Sequence, residues 1–519
     1  MMTCYLTTAI DYANGKPHLG HAYEKVLADV LSRLYQLQGQ KVHFVTGLDE
    51  HGQKVQQSAQ AAGIAPQTLC DNMAAAFQAL CQRLGVQYHD YIRTTESRHR
   101  QVVQHTLQTL WDQGLIYKAE YQGFYSQRAE QFLQDKDRLP DGSWPEIYGP
   151  VHSVTESNYF FRLSLYQDWL REYIQTHPDF IVPAFRAKQV LEFLKDPIND
   201  LCISRPIERL SWGIPLPFDP AYVTYVWFDA LLNYISAVGY GTAAFAQQWP
   251  ARFHIIGKDI LVPAHAVYWP IMLKALGLEL PRSLLVHGWW LCKGEKMSKS
   301  QGNVIDPLTY IDSYGPDSFR YFLMREMRVG YDSDFSHERF MARYQDDLGN
   351  DLGNLVSRTL HMCQRYTQAK VPQASAQTGP HEVQLIERWH STQTGYHQAC
   401  QDLQLHSALE HTFDFLKALN QYADLTAPWK QAQQPDGQAA LHTSLASLIE
   451  GLRLAATLLL PFMPQVAARI LQLLGVSAPV ASFEGQLAWD YRLQGACVGP
   501  KTILFPRDPA AGGAPGSLS

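Results

Sequence analysis

The chain has 519 residues, of which 46% are apolar and 18% charged, and its formal net charge is −6. That length exceeds one ordinary core, so two to four domains are expected, and the balance excludes a disordered chain. An acidic total is not the footprint of a generic nucleic-acid binder. It leaves a local basic patch open, because screening over roughly 8–10 Å makes local charge outweigh the sum.

The opening, MMTCYLTTAIDYANG, has neither the basic nor the long apolar region of a signal peptide. Thr3–Ile10 reads as a buried strand, Asn14–Gly15 as a turn, and His18–Gln38 as a helix with Val26, Val30, Leu34 and Leu37 on one stripe, stopped by Gly39. Lys41–Thr46 reads as a second strand, and helices follow near 53–62, 66–84 and 96–113, each ending at a glycine. This βαβα order predicts an α/β fold, a doubly wound, Rossmann-like parallel sheet. From 116 to 216 the text turns rich in Tyr, Phe, Pro and Asp and reads as an inserted connective subdomain. Alternation then resumes: strand 222–227, helix 229–238, strand 253–257, helix 260–276, strand 283–287. The expected division is 1–115 and 217–337 for the two halves of the sheet domain. An α-helical bundle over 338–475 follows, broken by low complexity near 373–379, and then an extension, 476–519, whose tail AAGGAPGSLS is expected to be disordered. No run of about 18 apolar residues exists, so no membrane span is expected. Eight scattered cysteines without a CxxC pair point to reduced thiols and the cytoplasm.

Two short motifs carry chemistry. Pro17-His18-Leu19-Gly20-His21 falls where the first strand hands over to its helix. Ligands of open parallel sheets bind outside the carboxyl ends of the strands, where helix N-termini favour anions. Two imidazoles three apart, with glycine between them, can both reach a phosphate. Lys296-Met297-Ser298-Lys299-Ser300 lies in a loop bracketed by Gly294 and Gly302. Two ammonium groups there can close over a triphosphate and neutralise the charge on leaving pyrophosphate. Alone, each signal is weak. An HxxH pair is more often a metal site or plain surface, and a Lys-Ser run is commonly a solvated loop.

In this order, with a doubly wound pattern between them, the pair resembles the HIGH and KMSKS signatures of class I aminoacyl-tRNA synthetases. TTAIDYANGKPHLGHAY, TGLDEHGQK (46–54), YVWFDALLNY (225–234), IIGKDI (255–260), AHAVYWP (264–270) and HGWWLCKGEKMSKSQGNV (287–304) narrow this to a resemblance to methionyl-tRNA synthetases. The resemblance implies a methionine–tRNA ligase: methionine and ATP give methionyl-adenylate and pyrophosphate, and the amino acid passes to the terminal adenosine of tRNA(Met), initiator included. It implies His18, Gly20, His21, Gly257, Asp259, Lys296, Met297, Ser298 and Lys299 around ATP, with His18, His21, Lys296 and Lys299 as the catalytic groups. It implies Ala9, Ile10, Tyr12, Asp49, Trp227, Ala230, Tyr234, His265 and Trp269 around methionine. The residue types suit these roles: Asp49 offers a carboxylate for the α-ammonium, and aromatic rings suit a thioether, each sulfur–aromatic contact contributing about 0.3–1.5 kcal/mol.

The insertion is too short for the editing domain that leucine, isoleucine and valine enzymes use where one methylene discriminates only about 10–200-fold. A cysteine enzyme would need a thiol-selecting zinc site, and no cysteine cluster exists to build one. A small-metabolite nucleotidyltransferase would not need the bundle, and an inactive paralogue would not need His18, His21, Lys296 and Lys299. Some positions depart from the family pattern. Asp11 stands where proline or tyrosine is usual, and Pro263-Ala264 where Arg-Phe is common. Many relatives carry a zinc knuckle of four cysteines in the insertion, whereas GFYSQRAEQFLQDKDRLPDGSWPEIYGP has none, so a metal-free insertion with a small apolar core is expected. Mg²⁺ is expected with ATP, and no zinc. In the bundle, GNLVSR puts Asn354 and Arg358 four apart on one helix face, and APW ends another helix with an exposed Trp429. The resemblance assigns these three to the first anticodon base, where stacking and hydrogen bonds read single-stranded bases. The chain stops soon after its bundle, and a monomer is expected.

Overall fold

The computed structural model describes residues 3–126, 131–133, 135, 138–297, 304–375 and 379–506. Its centre is a seven-stranded sheet whose pairings are all parallel: β1 (Cys4–Thr8), β2 (Asp11–Tyr12), β3 (Val42–Asp49), β4 (Asp90–Arg93), β5 (Ile181–Val182), β6 (Phe253–Gly257) and β7 (Ser283–His287). Across the sheet the order is β4-β3-β1-β6-β7-β5, with β2 continuing the line of β1 beside the end of β3. Alternate side chains point to opposite faces of a strand. Cys4 and Leu6 therefore enter one core and Tyr5 the other, and Ile255 and Ile256 divide in the same way. The chain winds outward in both directions from β1 and β6, so their carboxyl ends mark the topological switch point, the place where such sheets bind ligands.

The helix after β1, α1 (Leu19–Leu37), begins and ends within a residue of its expected bounds, with Gly39 at φ +81° beyond its end. Strand β3 runs further than expected, to Asp49 rather than Thr46. Its last residues gain two partners, Leu48 pairing with Arg93 and Asp49 with Tyr12. Gly47 permits this, because a Cβ there would meet the Ile92 carbonyl oxygen at 2.0 Å. The expected helix 229–238 is two short ones, Val226–Leu231 and Asn233–Ser236, and the Asn233 amide donates to the Ala230 carbonyl at the break (2.6 Å). The expected helix 260–276 opens with a wide π-type stretch, Leu261–Tyr268, in which Val262 is extended ahead of Pro263, as a residue before proline prefers.

The insertion carries a four-stranded antiparallel sheet among the described residues, built on Ile116–Ser126 and Val151–Phe161. Near its tip Leu133 is buried and the Arg138 guanidinium lies over both Phe124 and Trp144, 4.6 and 4.1 Å from the ring centres. Helices Leu355–Thr367, Pro380–Gln401, Leu405–Thr426, Gln438–Leu459 and Pro464–Leu473 form the C-terminal bundle. Its core is continuous with the face of the sheet that α1 covers. Residues 476–506 are packed rather than loose. Phe483 donates its N–H to the Leu37 carbonyl at the end of α1, and Phe505 packs against Gly353. The tail expected to be disordered lies outside the described residues. No helix among those described is long and apolar enough to cross a membrane.

Candidate active site

A cleft of about 510 Å³ opens at the switch point. Ala9, Ile10, Asp11 and Tyr12 follow β1, Asp49 ends β3, Gly257 ends β6 and His287 ends β7, so four strand ends supply its floor.

On one side His18 is the N-cap of α1. Its Nδ1 accepts the Gly20 N–H, and Nδ1 of His21 accepts the His18 N–H, both at 3.1 Å. Backbone N–H groups only donate, so each ring keeps a bare Nδ1 and carries its proton on Nε2. The HxGH spacing is thus a reciprocal cap made with imidazoles, satisfying two orphan donors of the helix. Gly20 leaves room for it, since a Cβ would lie 3.0 Å from His18 Cε1.

Across the cleft stand Trp227, Ala230, Tyr234 and His265. His265 Nδ1 lies 2.8 Å from the Ile260 carbonyl, which can only accept, so the proton sits on Nδ1. Nε2 then accepts the Tyr234 hydroxyl at 2.7 Å. Burial lowers the His265 pKa to about 4 and keeps the ring neutral. Asp49, 8% exposed, lies in the same cleft. A carboxylate near an apolar, aromatic pocket with one fixed hydroxyl suits an α-amino acid with an uncharged side chain.

The third wall holds Gly257, Asp259, Ile260, His287, Gly288, Trp289, Trp290, Lys296 and Met297. A Cβ at Gly257 would meet Asp259 Oδ1 at 2.6 Å, so the glycine admits that carboxylate. The Trp289 indole has two ammonium groups over it, Lys258 at 4.0 Å and Lys296 at 3.9 Å. The segments 46–54 and 225–234 are tied beneath the floor. Asp229 Oδ2 meets His51 Nδ1 at 2.6 Å, and Oδ1 meets His99 Nε2 at 2.7 Å. Burial alone would raise the Asp229 pKa, but the two imidazoles hold it down, at about 2.

Most of the residues expected at the site thus meet in one cleft. Trp269 does not. It is fully buried behind Tyr234, ring centres 5.6 Å apart, and donates its indole N–H to His254 Nε2. Ser298 and Lys299 lie outside the described residues. Sequence reasoning missed Glu24, Lys54, Asn233, His287 and Trp289 on the lining, and Lys25 beneath it. Adjacent charged residues inside the apolar run of α1 were the available signal for Glu24 and Lys25. Ala264 is buried and off the lining.

A family model described as tRNA synthetases class I (M) matches residues 4–360, and one for the anticodon binding domain of methionyl tRNA ligase matches 371–505. The chain belongs to the methionyl-tRNA synthetases. As a class I enzyme of this family it activates methionine with ATP and passes it to tRNA. The methionine–tRNA ligase of Caldanaerobacter subterraneus is 41% identical over 97% of this chain and 79% of its own length. That of Thermosynechococcus vestitus is 42% identical over 93% and 92%. The Mycobacterium tuberculosis methionyl-tRNA synthetase in complex with methionyl-adenylate superposes with a TM-score of 0.92 at 37% identity, covering 98% of this chain and 100% of that one. The apo form of the M. tuberculosis enzyme gives 0.85 at 34% identity, covering 98% of each chain.

Among the described residues no group of three or more His, Cys, Asp or Glu side chains could hold a metal ion. In the bundle, Asn354 is exposed where a π-type stretch hands over to Leu355–Thr367. Arg358 pairs with Asp424 (3.0 Å) and lies 5.5 Å over the Trp429 ring. Trp429 differs from expectation: it opens the short helix Pro428–Gln431 and is half-buried, because Ala427 turns left-handed (φ +44°) and swings the chain back onto the core.

Proposed function

We propose that this cleft forms methionyl-adenylate with the residues in the following roles. Asp49 takes the α-ammonium, and Ala9, Ile10, Tyr12, Trp227, Ala230, Tyr234 and His265 surround the thioether side chain, with Trp269 supporting Tyr234 from behind. Gly257 and Asp259 receive the adenosine. The Nε2–H groups of His18 and His21, together with Lys296, Met297, Ser298 and Lys299, are assigned to the phosphates. The methionine carboxylate forms a bond to the α-phosphorus as the bond to pyrophosphate breaks. No protein nucleophile is required, so the rate comes from positioning and electrostatic stabilisation. A hydroxyl of the terminal adenosine of tRNA(Met), the 2′ by class, then attacks the carbonyl and releases AMP. The observation that carries this reading is one cleft holding a carboxylate, a neutral Tyr–His wall and two imidazole N–H donors at the switch point. ATP–pyrophosphate exchange with each of the twenty amino acids tests it. Methionine should drive exchange best, and a higher kcat/KM for another amino acid would overturn the pocket assignment.

Mg²⁺ belongs to this reading as part of the MgATP substrate. The insertion is proposed to need no zinc, its tip being closed by the Arg138 clasp on Phe124 and Trp144. Elemental analysis should find well below one zinc per chain, and stoichiometric zinc lost together with activity would refute it. Asn354, Arg358 and Trp429 are proposed to read the anticodon of elongator and initiator tRNA alike. A monomer working in the cytoplasm completes the reading. Sedimentation checks the monomer.

A further inference from the structure

Beneath the cleft floor lies a charged group that none of these roles uses. Lys25, one helical turn beyond His21 on α1, is 1% exposed. Its ammonium lies 3.0 Å from Thr8 Oγ1, 3.1 Å from the Ala9 carbonyl, 3.1 Å from Glu24 Oε1 and 3.1 Å from Asp11 Oδ2. Burying an ammonium is costly unless it is paired and hydrogen-bonded, and here each partner belongs to a different part of the site. Ala9 is on the methionine side. Asp11 presents its other oxygen to His21, 3.9 Å from the Nε2 that carries the proton. Glu24 lines the nucleotide side and meets His287 Nε2 at 3.2 Å.

We propose that Lys25 is a positioning residue for adenylate formation, fixing Asp11 beside His21 and Glu24 beside His287 so that the nucleotide half of the cleft is set before ATP arrives. Without the ammonium, Asp11 and Glu24 lose the one cation that touches both, so neither carboxyl is held beside the imidazole it faces. Burial pushes the Asp11 carboxyl up to about 7 even with Lys25 alongside, and Glu24 adds to the rise; Cys81 and Tyr91 also face it. Asp11 and Lys25 are then two halves of one device.

This inference rests on the nucleotide lying between His21 and His287, and the experiment separates the two. Steady-state ATP–pyrophosphate exchange and direct methionine binding, followed by tryptophan fluorescence without ATP, are measured for Asp11→Asn, Lys25→Met and Lys25→Met with Asp11→Asn. Asp11→Asn leaves Lys25 with Glu24, Thr8 and Ala9, so it should fold. It should raise the KM for ATP or lower kcat about 10-fold while methionine affinity holds, since displacing a positioned group costs about 10–100-fold. Lys25→Met should do the same more severely. The double variant removes the Lys25–Asp11 pair together and leaves Glu24 with His287, so it should melt above Lys25→Met and remain slow. Parental exchange in Asp11→Asn, or in the double variant, would overturn the proposal and leave Lys25 a neutralising core charge. Methionine-independent exchange in the parent would instead defeat the site reading itself.

Discussion

His265 and Tyr234 join the pocket wall through one hydrogen bond whose direction is fixed by a carbonyl two bonds away. Because the Ile260 oxygen can only accept, Tyr234 must donate to the ring. The neutrality this requires is linked to stability. Unfolded His265 takes its proton below the ordinary 6.5, the folded ring only below about 4. Between those values the unfolded chain holds more protons, so stability is fully present above 6.5 and falls as pH drops through the window. The lowering is worth about 3 kcal/mol at its low end. A His265→Gln variant should therefore lose less stability than the parent between pH 6.5 and 4.5 in urea titrations. Parallel losses would mean that the imidazole titrates freely in the folded state. At the same scale, Lys296→Ala should lower exchange by roughly 10²–10³ with methionine binding intact, the loss expected for one transition-state donor. Weakened methionine binding at normal kcat would place that lysine elsewhere.

Among elements, α1 concentrates the chemistry at its N-terminus, and Gly20 is where helix stability and catalysis can be pulled apart. Alanine should favour the helix by about 1 kcal/mol over glycine, and losing the imidazole cap should cost about 0.5–2 kcal/mol, so the two nearly cancel. Activity should not cancel. A Cβ 3.0 Å from His18 Cε1 must displace the ring, and Gly20→Ala is expected to slow exchange about 10–100-fold with little change in melting temperature. Unaltered exchange would show that the cap does not set the His18 position. What was readable beforehand follows the same division. HxGH and the Lys-rich loop were legible because they are contiguous, and their placement at strand ends follows from the order of elements. The reciprocal cap was not, since it depends on ring hydrogen bonds that spacing does not specify. Trp269 lies behind Tyr234 rather than on the lining: the wide π-type stretch Leu261–Tyr268 carries His265 and ends just before Trp269, an irregularity that residue spacing does not announce. The contact between Asp11 and Lys25 was not readable either, because the two stand fourteen residues apart and meet only once β1 and α1 have packed.

Over the whole molecule, the catalytic sheet and the bundle share one continuous core, and a fully buried ion pair crosses it. Arg320 meets Asp29 of α1 at 2.7 Å and also donates to the Pro461 and Phe462 carbonyls where two bundle helices join. The bundle is thus fastened to the back of the helix that carries His18 and His21, while Asn354, Arg358 and Trp429 lie off the cleft lining. This arrangement lets the proposed anticodon contacts fail without disturbing adenylate chemistry. Trp429 is half-buried, with its indole under Arg358 and packed partly against the bundle core. Trp429→Ala should cost about 1–3 kcal/mol of tRNA binding for a lost stacking contact. The loss should appear as slower charging at limiting tRNA, while exchange stays near the parental rate. Because part of the ring packs on the bundle core, a thermal melt must accompany the assay: a lower melting temperature with unchanged exchange is compatible with base stacking. Equal losses in charging and exchange would make Trp429 a structural residue that supports the shared core. Unchanged charging would move anticodon recognition away from the Asn354–Arg358–Trp429 cluster.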